Sequence, residues 1–427
     1  MKSRFVRAFV SVAFVSALFA TSLCAAALPR GTPEEVGLSS QRLAQLKPVL
    51  QSYVDAGRLP GSVTLVARRG KVVFLEGVGQ RDREAKSAMR ADSIFRIASQ
   101  TKALVSVGIM MLQEQGKLLI TDPLYKYIPE FRETKVAVRK EGGGYDVVKA
   151  KRPITLRDLL THTSGIGYGT GVAAEEWKKA GIQNWYFANR DEPVSAVVTR
   201  MAALPADAQP GEAWVYGYSV DILGVVIERV SGQSLADFLK KNLTGPLGMT
   251  DTSFYLPKDQ RDRLVSVYSA GEDGKLTKPS DMAAAYWQAQ GAYIEGPRKA
   301  FSGGAGLLST AENYATFLQM LLNGGELDGK RYLSRKTVEL MTSNHLRNVT
   351  FRDGVGFGLG FSVVTDEGAR GEPGSVGEYG WGGAYHSTYW VDPHEQLVVV
   401  HLTQVLPAGD LDDFGKVRAI VYQAIEN

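Results

Sequence analysis

A serine three residues ahead of a lysine, at the head of an apolar helix, is the pair in this chain best suited to chemistry. Ser99 and Lys102 stand in Ser99-Gln100-Thr101-Lys102. Residues at that spacing lie on one helical face, one turn apart. The serine would sit where helical N–H groups lack partners and the dipole is positive, a setting that favours an alkoxide or oxyanion. The lysine would be largely withdrawn from water, which disfavours its ammonium unless a partner holds the charge. Together they form one kind of activated nucleophile. The motif is short enough to arise by chance, with the serine as an N-cap and the lysine snorkelling to the surface. Its position argues for more, because a long lysine is an odd choice one turn into an apolar helix.

The elements that must position this pair follow from the pattern around it. Residues 95–116 carry Leu104, Val105, Val107, Ile109, Met110, Met111 and Leu112, apolar on nearly every face. Such a helix belongs at the centre of a protein. Gly116 stops it and Asp122-Pro123 opens the next segment. Upstream, 39–56 reads as an amphipathic helix, and 62–68 and 71–77 as a β-hairpin turning at Arg69-Gly70. Downstream, 125–148 is polar and irregular, with Gly142-Gly143-Gly144 at a loop tip. A short helix over 152–160 runs into a turn at Thr161-His162-Thr163-Ser164-Gly165. Helices are expected at 175–180, 192–204, 215–231, 235–243 and 310–322, the last with an N-cap near Thr310. Residues 358–364, 387–392 and 397–403 look like strands, and 413–426 a closing helix.

Strands near both ends with helices between them predict an α+β fold. One antiparallel sheet flanked by helices would draw on 28–125 and 300–427, with a mostly helical region, 126–299, inserted. There is no repeat of fixed period and no low-complexity tract.

Composition narrows the function. The chain has 427 residues, 44% hydrophobic and 22% charged, enough for a large core without metal or disulfides. Lys2, Arg4 and Arg7, the apolar run 8–23 and Cys24-Ala25-Ala26-Ala27 form the pattern of a signal peptide over 1–27. Leu23 before Cys24 is a poor lipoprotein site. An exported protein, periplasmic or secreted, with no integral membrane span after cleavage, is the expectation. Cys24 is the single cysteine, so the mature chain would have neither a thiol nucleophile nor a disulfide. Losing the three basic residues of the leader takes the formal charge from +4 to +1, which gives no electrostatic reason to expect nucleic acid. The lipase signature G-x-S-x-G is absent, and His162, His345, His386, His394 and His401 show no metal spacing. His162 is expected to fix its turn through hydrogen bonds.

Several segments, in order, resemble the serine β-lactamase and penicillin-binding-protein superfamily, in its class C-like branch. They are Ser99-Gln100-Thr101-Lys102, Leu159-Leu160-Thr161-His162-Thr163-Ser164-Gly165, Pro246-Leu247-Gly248-Met249 with Thr252 and Phe254, and Ser302-Gly303-Gly304-Ala305-Gly306-Leu307-Leu308-Ser309-Thr310-Ala311. The resemblance implies a β-lactamase/transpeptidase-like fold. In place of the family's Tyr-x-Asn stands Trp214-Val215-Tyr216-Gly217-Tyr218-Ser219, similar to the esterase form; Tyr216 is the implied general base and Tyr218 the lesser choice. A tyrosine ionises near pH ~10 unaided, so it needs a nearby ammonium, which Lys102 can supply. In place of Lys-Thr-Gly stands Trp381-Gly382-Gly383. The resemblance implies an edge strand beside the nucleophile, with the N–H groups of Ser99 and Ala384 as the oxyanion hole. Losing that lysine removes a cation suited to a β-lactam carboxylate, while a tryptophan suits a neutral acyl chain. The substitution points to the family VIII carboxylesterases. Tyr168 and His386 are candidate substrate contacts beside Trp381, Gly382 and Gly383.

The resulting expectation is a serine hydrolase of small-molecule esters, short to medium in acyl length, acting through an acyl-enzyme on Ser99 and needing no metal or organic cofactor. Weak opening of cephalosporin rings fits the same family. A β-lactamase or D,D-peptidase is the nearest rival, then a penicillin-binding sensor that is acylated without turnover, then a non-catalytic structural relative. Oligomeric state is not legible in the sequence.

Overall fold

The computed structural model describes residues 27–280 and 290–427. The expected signal peptide therefore lies, but for its last residue, outside the described residues.

An eight-stranded antiparallel sheet forms the frame, and it is assembled from the two ends of the chain. The N-terminal part supplies β1 (Gly61–Arg68), β2 (Lys71–Asp82) and β3 (Ser87–Ala88). The C-terminal part supplies β4 (Val355–Phe357), β5 (Ser362–Val364), β6 (Tyr379–Gly383), β7 (Ser387–Asp392) and β8 (Leu397–Leu402). The order is β4-β5-β6-β7-β8-β1-β2-β3, so β1 and β8 join the two ends, with Val63 opposite Leu402. Both strands are buried along their whole length, which explains their unbroken apolar reading, as helices cover both faces.

On the front face lie α2 (Thr101–Glu114), α4 (Ser219–Ser231) and α5 (Ala311–Leu322), in the main core with Val63, Leu65, Val398 and Val400. On the rear face lie α1 (Leu46–Asp55) and α6 (Asp413–Gln423), whose Leu46, Leu50, Val417 and Val421 pack on Val66, Trp390 and Val399. The alternation of neighbouring strand residues between two cores is the period-2 geometry of a strand. In α2 every residue from 101 to 112 is buried, as an all-round apolar helix requires.

Four local expectations are corrected. The stretch 125–148 is not irregular throughout: Lys135–Arg139 and Tyr145–Lys149 form a hairpin around the three glycines. The stretch 39–56 is two helices, Ser40–Leu43 and α1. Residues 358–361 are the turn between β4 and β5 rather than strand. Finally, α4 begins at Ser219, not at 215. Val215 N–H instead donates to His162 O at 2.8 Å, and a Cβ on Gly217 would lie 2.3 Å from Ile166 O. This stretch lies close against the 162–167 loop, and Tyr216 sits outside the helix. The loop follows α3 (Leu156–Leu160), whose start is locked by a reciprocal Thr155–Asp158 capping box.

Candidate active site

Ser99 lies in a 3₁₀ turn, Ala98–Gln100, that runs directly into α2. Ala98 precedes it at φ +42°, a left-handed conformation unusual for a residue with a Cβ. Strain of this kind persists only where the surroundings over-determine it. Here Ile97 N–H donates to Leu307 O (3.1 Å), Leu307 N–H to Thr101 Oγ1 (3.0 Å), and Tyr314 OH to Gln100 O (2.8 Å).

Lys102 is 2% exposed, and its Nζ reaches Ser99 Oγ at 3.1 Å. The same nitrogen donates to Gly304 O at 2.8 Å and Tyr168 OH at 3.3 Å, and stands 4.5 Å from the centre of the Tyr216 ring. Its hydrogen-bond partners are thus neutral oxygens. A counter-charge lies on the other side of residue 304: Asp221 Oδ1 accepts from Gly304 N–H (3.0 Å) and Ser302 Oγ (2.6 Å), while Gly304 O faces the lysine. Burial raises the Asp221 carboxyl above its ordinary range, opposed by the Ser302 hydrogen bond and the Lys102 charge. A Cβ at Gly304 would lie 2.3 Å from Asp221 Oδ2, so only glycine fits this relay.

Of the tyrosines, Tyr216 has the site's most telling partner. Trp381 Nε1–H donates to its hydroxyl oxygen at 3.0 Å. Its ring stacks on Trp214, 5.4 Å between centroids and 9° between planes. Its hydroxyl is thus held by an indole donor, with Lys102 Nζ over the ring, at the position implied for the general base. Tyr218 is excluded from this role by position: it is fully buried and donates to Asn184 O at 2.6 Å. Burial and then Asp221 raise its pKa, which also opposes ionisation. Tyr168 lines the cavity, yet its hydroxyl is tied to Lys102. Burial, then the neighbouring Tyr216, lifts it well above the usual tyrosine range.

Along β6, Trp381, Gly382 and Gly383 pair with β7 on one side, whereas β5 pairs only as far as Gly380. Among the described residues, the last three of β6 therefore have no strand partner on the edge beside the turn that carries Ser99. A Cβ on Gly383 would lie 2.6 Å from Ile97 O, so the strand and the turn can meet only through glycine. Gln100 Nε2 adds a hydrogen bond to Ser387 Oγ at 3.2 Å.

Ser99, Tyr168, Tyr216, Trp381, Gly382, Gly383, Ala384 and His386 all line one cavity of about 810 Å³. Lys102 lies beneath its floor. His162 differs from expectation. Both ring nitrogens are buried without a hydrogen bond, and the ring is boxed by Trp214, Tyr216 and Phe357. Burial, then the charge on Lys102, drives its pKa well below the ordinary value, so it is a neutral packing group against Tyr216. Its turn is fixed by the backbone instead, with His162 at φ +57°. Among the described residues no cluster of three or more His, Cys, Asp or Glu side chains could hold a metal ion, and no helix is long and apolar enough to cross a membrane.

The model of the Beta-lactamase family matches residues 46–422. The chain belongs to the Beta-lactamase family. Its superfamily is that of the serine β-lactamases and penicillin-binding proteins. Similar proteins include Protein Rv1367c of Mycobacterium tuberculosis, 34% identical across 85% of this chain and 90% of that one. Esterase EstB of Burkholderia gladioli is 30% identical across 86% of this chain and 91% of its own. Among solved structures, EstCE1, described as a hydrolase with promiscuous acyltransferase activity, superposes with a TM-score of 0.74 at 27% identity, covering 90% of this chain and 99% of that one.

Within this Beta-lactamase family framework, two parts of the site escaped the sequence reading. Asp221 was visible as a lone acid inside the apolar run of α4, a signal of a buried, paired carboxylate. The Trp381–Tyr216 hydrogen bond had no local signal, since the partners are far apart in the chain.

Proposed function

We propose that this protein is an exported serine carboxylesterase, periplasmic or secreted, cleaving small-molecule esters of short to medium acyl length through an acyl-enzyme on Ser99. Ser99 Oγ attacks the ester carbonyl while Tyr216, as phenolate, takes the serine proton. The carbonyl oxygen becomes an oxyanion facing the N–H groups of Ser99 and Ala384. Collapse breaks the C–O bond, and the Tyr216 proton passes to the leaving alcohol. Water then repeats the cycle on the acyl-enzyme, giving the free acid and restoring Ser99. Lys102 Nζ, under the Tyr216 ring and against Ser99 Oγ, stands beside both reacting groups.

The observation that carries this reading is the Trp381–Tyr216 hydrogen bond, 3.0 Å long. It puts an indole donor and an apolar ring where β-lactam-cleaving relatives carry a cation, which suits a neutral acyl group. The esterase name of EstB supports the same reading. Weak cephalosporin hydrolysis is expected beside it.

Steady-state assays of the chain lacking residues 1–27 test this. Turnover of p-nitrophenyl butyrate should exceed that of nitrocefin by about a hundredfold or more in kcat/KM. Faster nitrocefin hydrolysis would make the protein a β-lactamase, and one burst without turnover would make it an acylated sensor.

A further inference from the structure

A second polar chain, which the reaction above does not use, runs behind the sheet and ends at the turn bearing Ala384. His386 Nε2 lies 2.6 Å from Asp413 Oδ1. The other oxygen, Oδ2, lies 3.0 Å from His401 Nε2, and His401 Nδ1 is 2.7 Å from Thr64 Oγ1. An ionised carboxylate only accepts, so both histidines donate to it through Nε2. Asp413 and His401 are fully buried. Burial alone would raise the Asp413 carboxyl, but the hydrogen bonds from His386 and then His401 hold it far below the usual range.

His386 itself has φ +56°, a conformation that glycine adopts far more readily. A side chain at such a position needs compensation. Besides the Asp413 bond, its ring stacks on Phe414 at 4.0 Å with 13° between planes. The main chain is held from the other side: Thr403 Oγ1 donates to the carbonyls of Tyr385 and His386, and Val405 N–H to Tyr385 O (3.1 Å). The clamped segment is the β6–β7 turn, and Ala384 lies in it, one residue after the glycine that touches Ile97.

We propose that His386 is a positioning residue: its bond to Asp413 on α6 clamps the β6–β7 turn so that Ala384 N–H is aimed at the oxyanion. This rests on the acyl-enzyme reading of the site, with Ala384 as an oxyanion donor. An oxyanion contact is made in the transition state and not with bound ester, so loosening it lowers kcat and leaves KM alone. A contact between His386 and substrate would do the reverse.

The test compares His386→Gly, His386→Gln and Ser99→Ala in p-nitrophenyl butyrate hydrolysis, with kcat counted per serine labelled by a fluorophosphonate probe. Glycine relieves the backbone and removes the clamp; glutamine places a donor near the Nε2 position. His386→Gly should lose about tenfold or more in kcat with KM within about twofold, at unchanged or raised Tm, and His386→Gln should recover most of the loss. Wild-type kcat in His386→Gly, or a rise in KM at constant kcat, overturns the proposal. Should the glycine chain not fold, His386→Asn, which tolerates left-handed backbone but is too short to reach Asp413, is read by the same criteria. Turnover surviving in Ser99→Ala would instead strike the underlying reading, so the two failures are distinct.

Discussion

The two faces of the sheet each bury a cluster of charge, and the clusters are built in opposite ways. Behind β6 and β7, Glu378 is gripped by Arg418 through two bonds of 2.7 and 2.8 Å, by Arg370 at 2.8 Å and by Tyr422 OH at 2.6 Å. There Glu378 meets its opposite charge directly in both arginines. In front, Lys102 is as deeply buried, yet it is held by a hydroxyl, a phenol, a carbonyl and the face of a ring. Asp221 lies across residue Gly304, which bonds the carboxylate by its N–H and the lysine by its carbonyl. The rear cluster is a lock, because ideal bidentate geometry repays desolvation. The front cluster leaves an ammonium partly uncompensated, and that residual field is available to a phenolate or an alkoxide.

The comparison breaks first at the phenols. Tyr216→Phe should lower kcat by about 10²–10³-fold with little change in KM, whereas Tyr168→Phe, which removes a hydroxyl bonded to Lys102, should cost about tenfold. Steady-state kinetics on p-nitrophenyl butyrate decides between them, and the opposite ranking would make Tyr168 the base.

The rear lock should respond in stability and not in chemistry. Glu378→Gln leaves the buried Arg418 and the half-buried Arg370 with Glu372 as their remaining carboxylate and should cost about 3 kcal/mol of unfolding free energy, with kcat per folded molecule unchanged. Urea titration measures it. The sign of its pH dependence follows from the carboxyl. Burial alone would raise its pKa, but the Arg418 hydrogen bonds and the charges of Arg418 and Arg370 outweigh that and lower it. A lowered folded value contributes stability that is complete above the unfolded value of about 4.3 and is lost as pH falls through the folded value. The wild type should therefore lose its advantage over Glu378→Gln below about pH 4.3; a gap that is constant down to pH 2 would contradict the assignment.

The two clusters also differ in how far they could be read from sequence. Ser99 and Lys102 were legible because their relation is local, one helical turn in an apolar run. So were the strands Ser387–Asp392 and Leu397–Leu402, whose apolar density admits little else. The start of α4 was not, because helical periodicity in 215–218 loses to contacts with the 162–167 loop. The hairpin around 140–144 was masked by exposed lysines, arginines and acids that dilute its alternation. His162 was misjudged since a histidine in a turn usually finds hydrogen bonds, and this one meets aromatic faces instead. Glu378 with Arg418, Trp381 with Tyr216, and His386 with Asp413 are pairings across the fold that no spacing announces.

The central claim is that Ser99 carries the acyl group during turnover. Rapid-quench mass spectrometry of the protein mixed with p-nitrophenyl butyrate tests it most directly. A butyryl adduct should appear on the peptide containing Ser99 within one turnover and decay at the rate of acid release. Sustained hydrolysis with no adduct on Ser99, or with one on another side chain, would contradict the account.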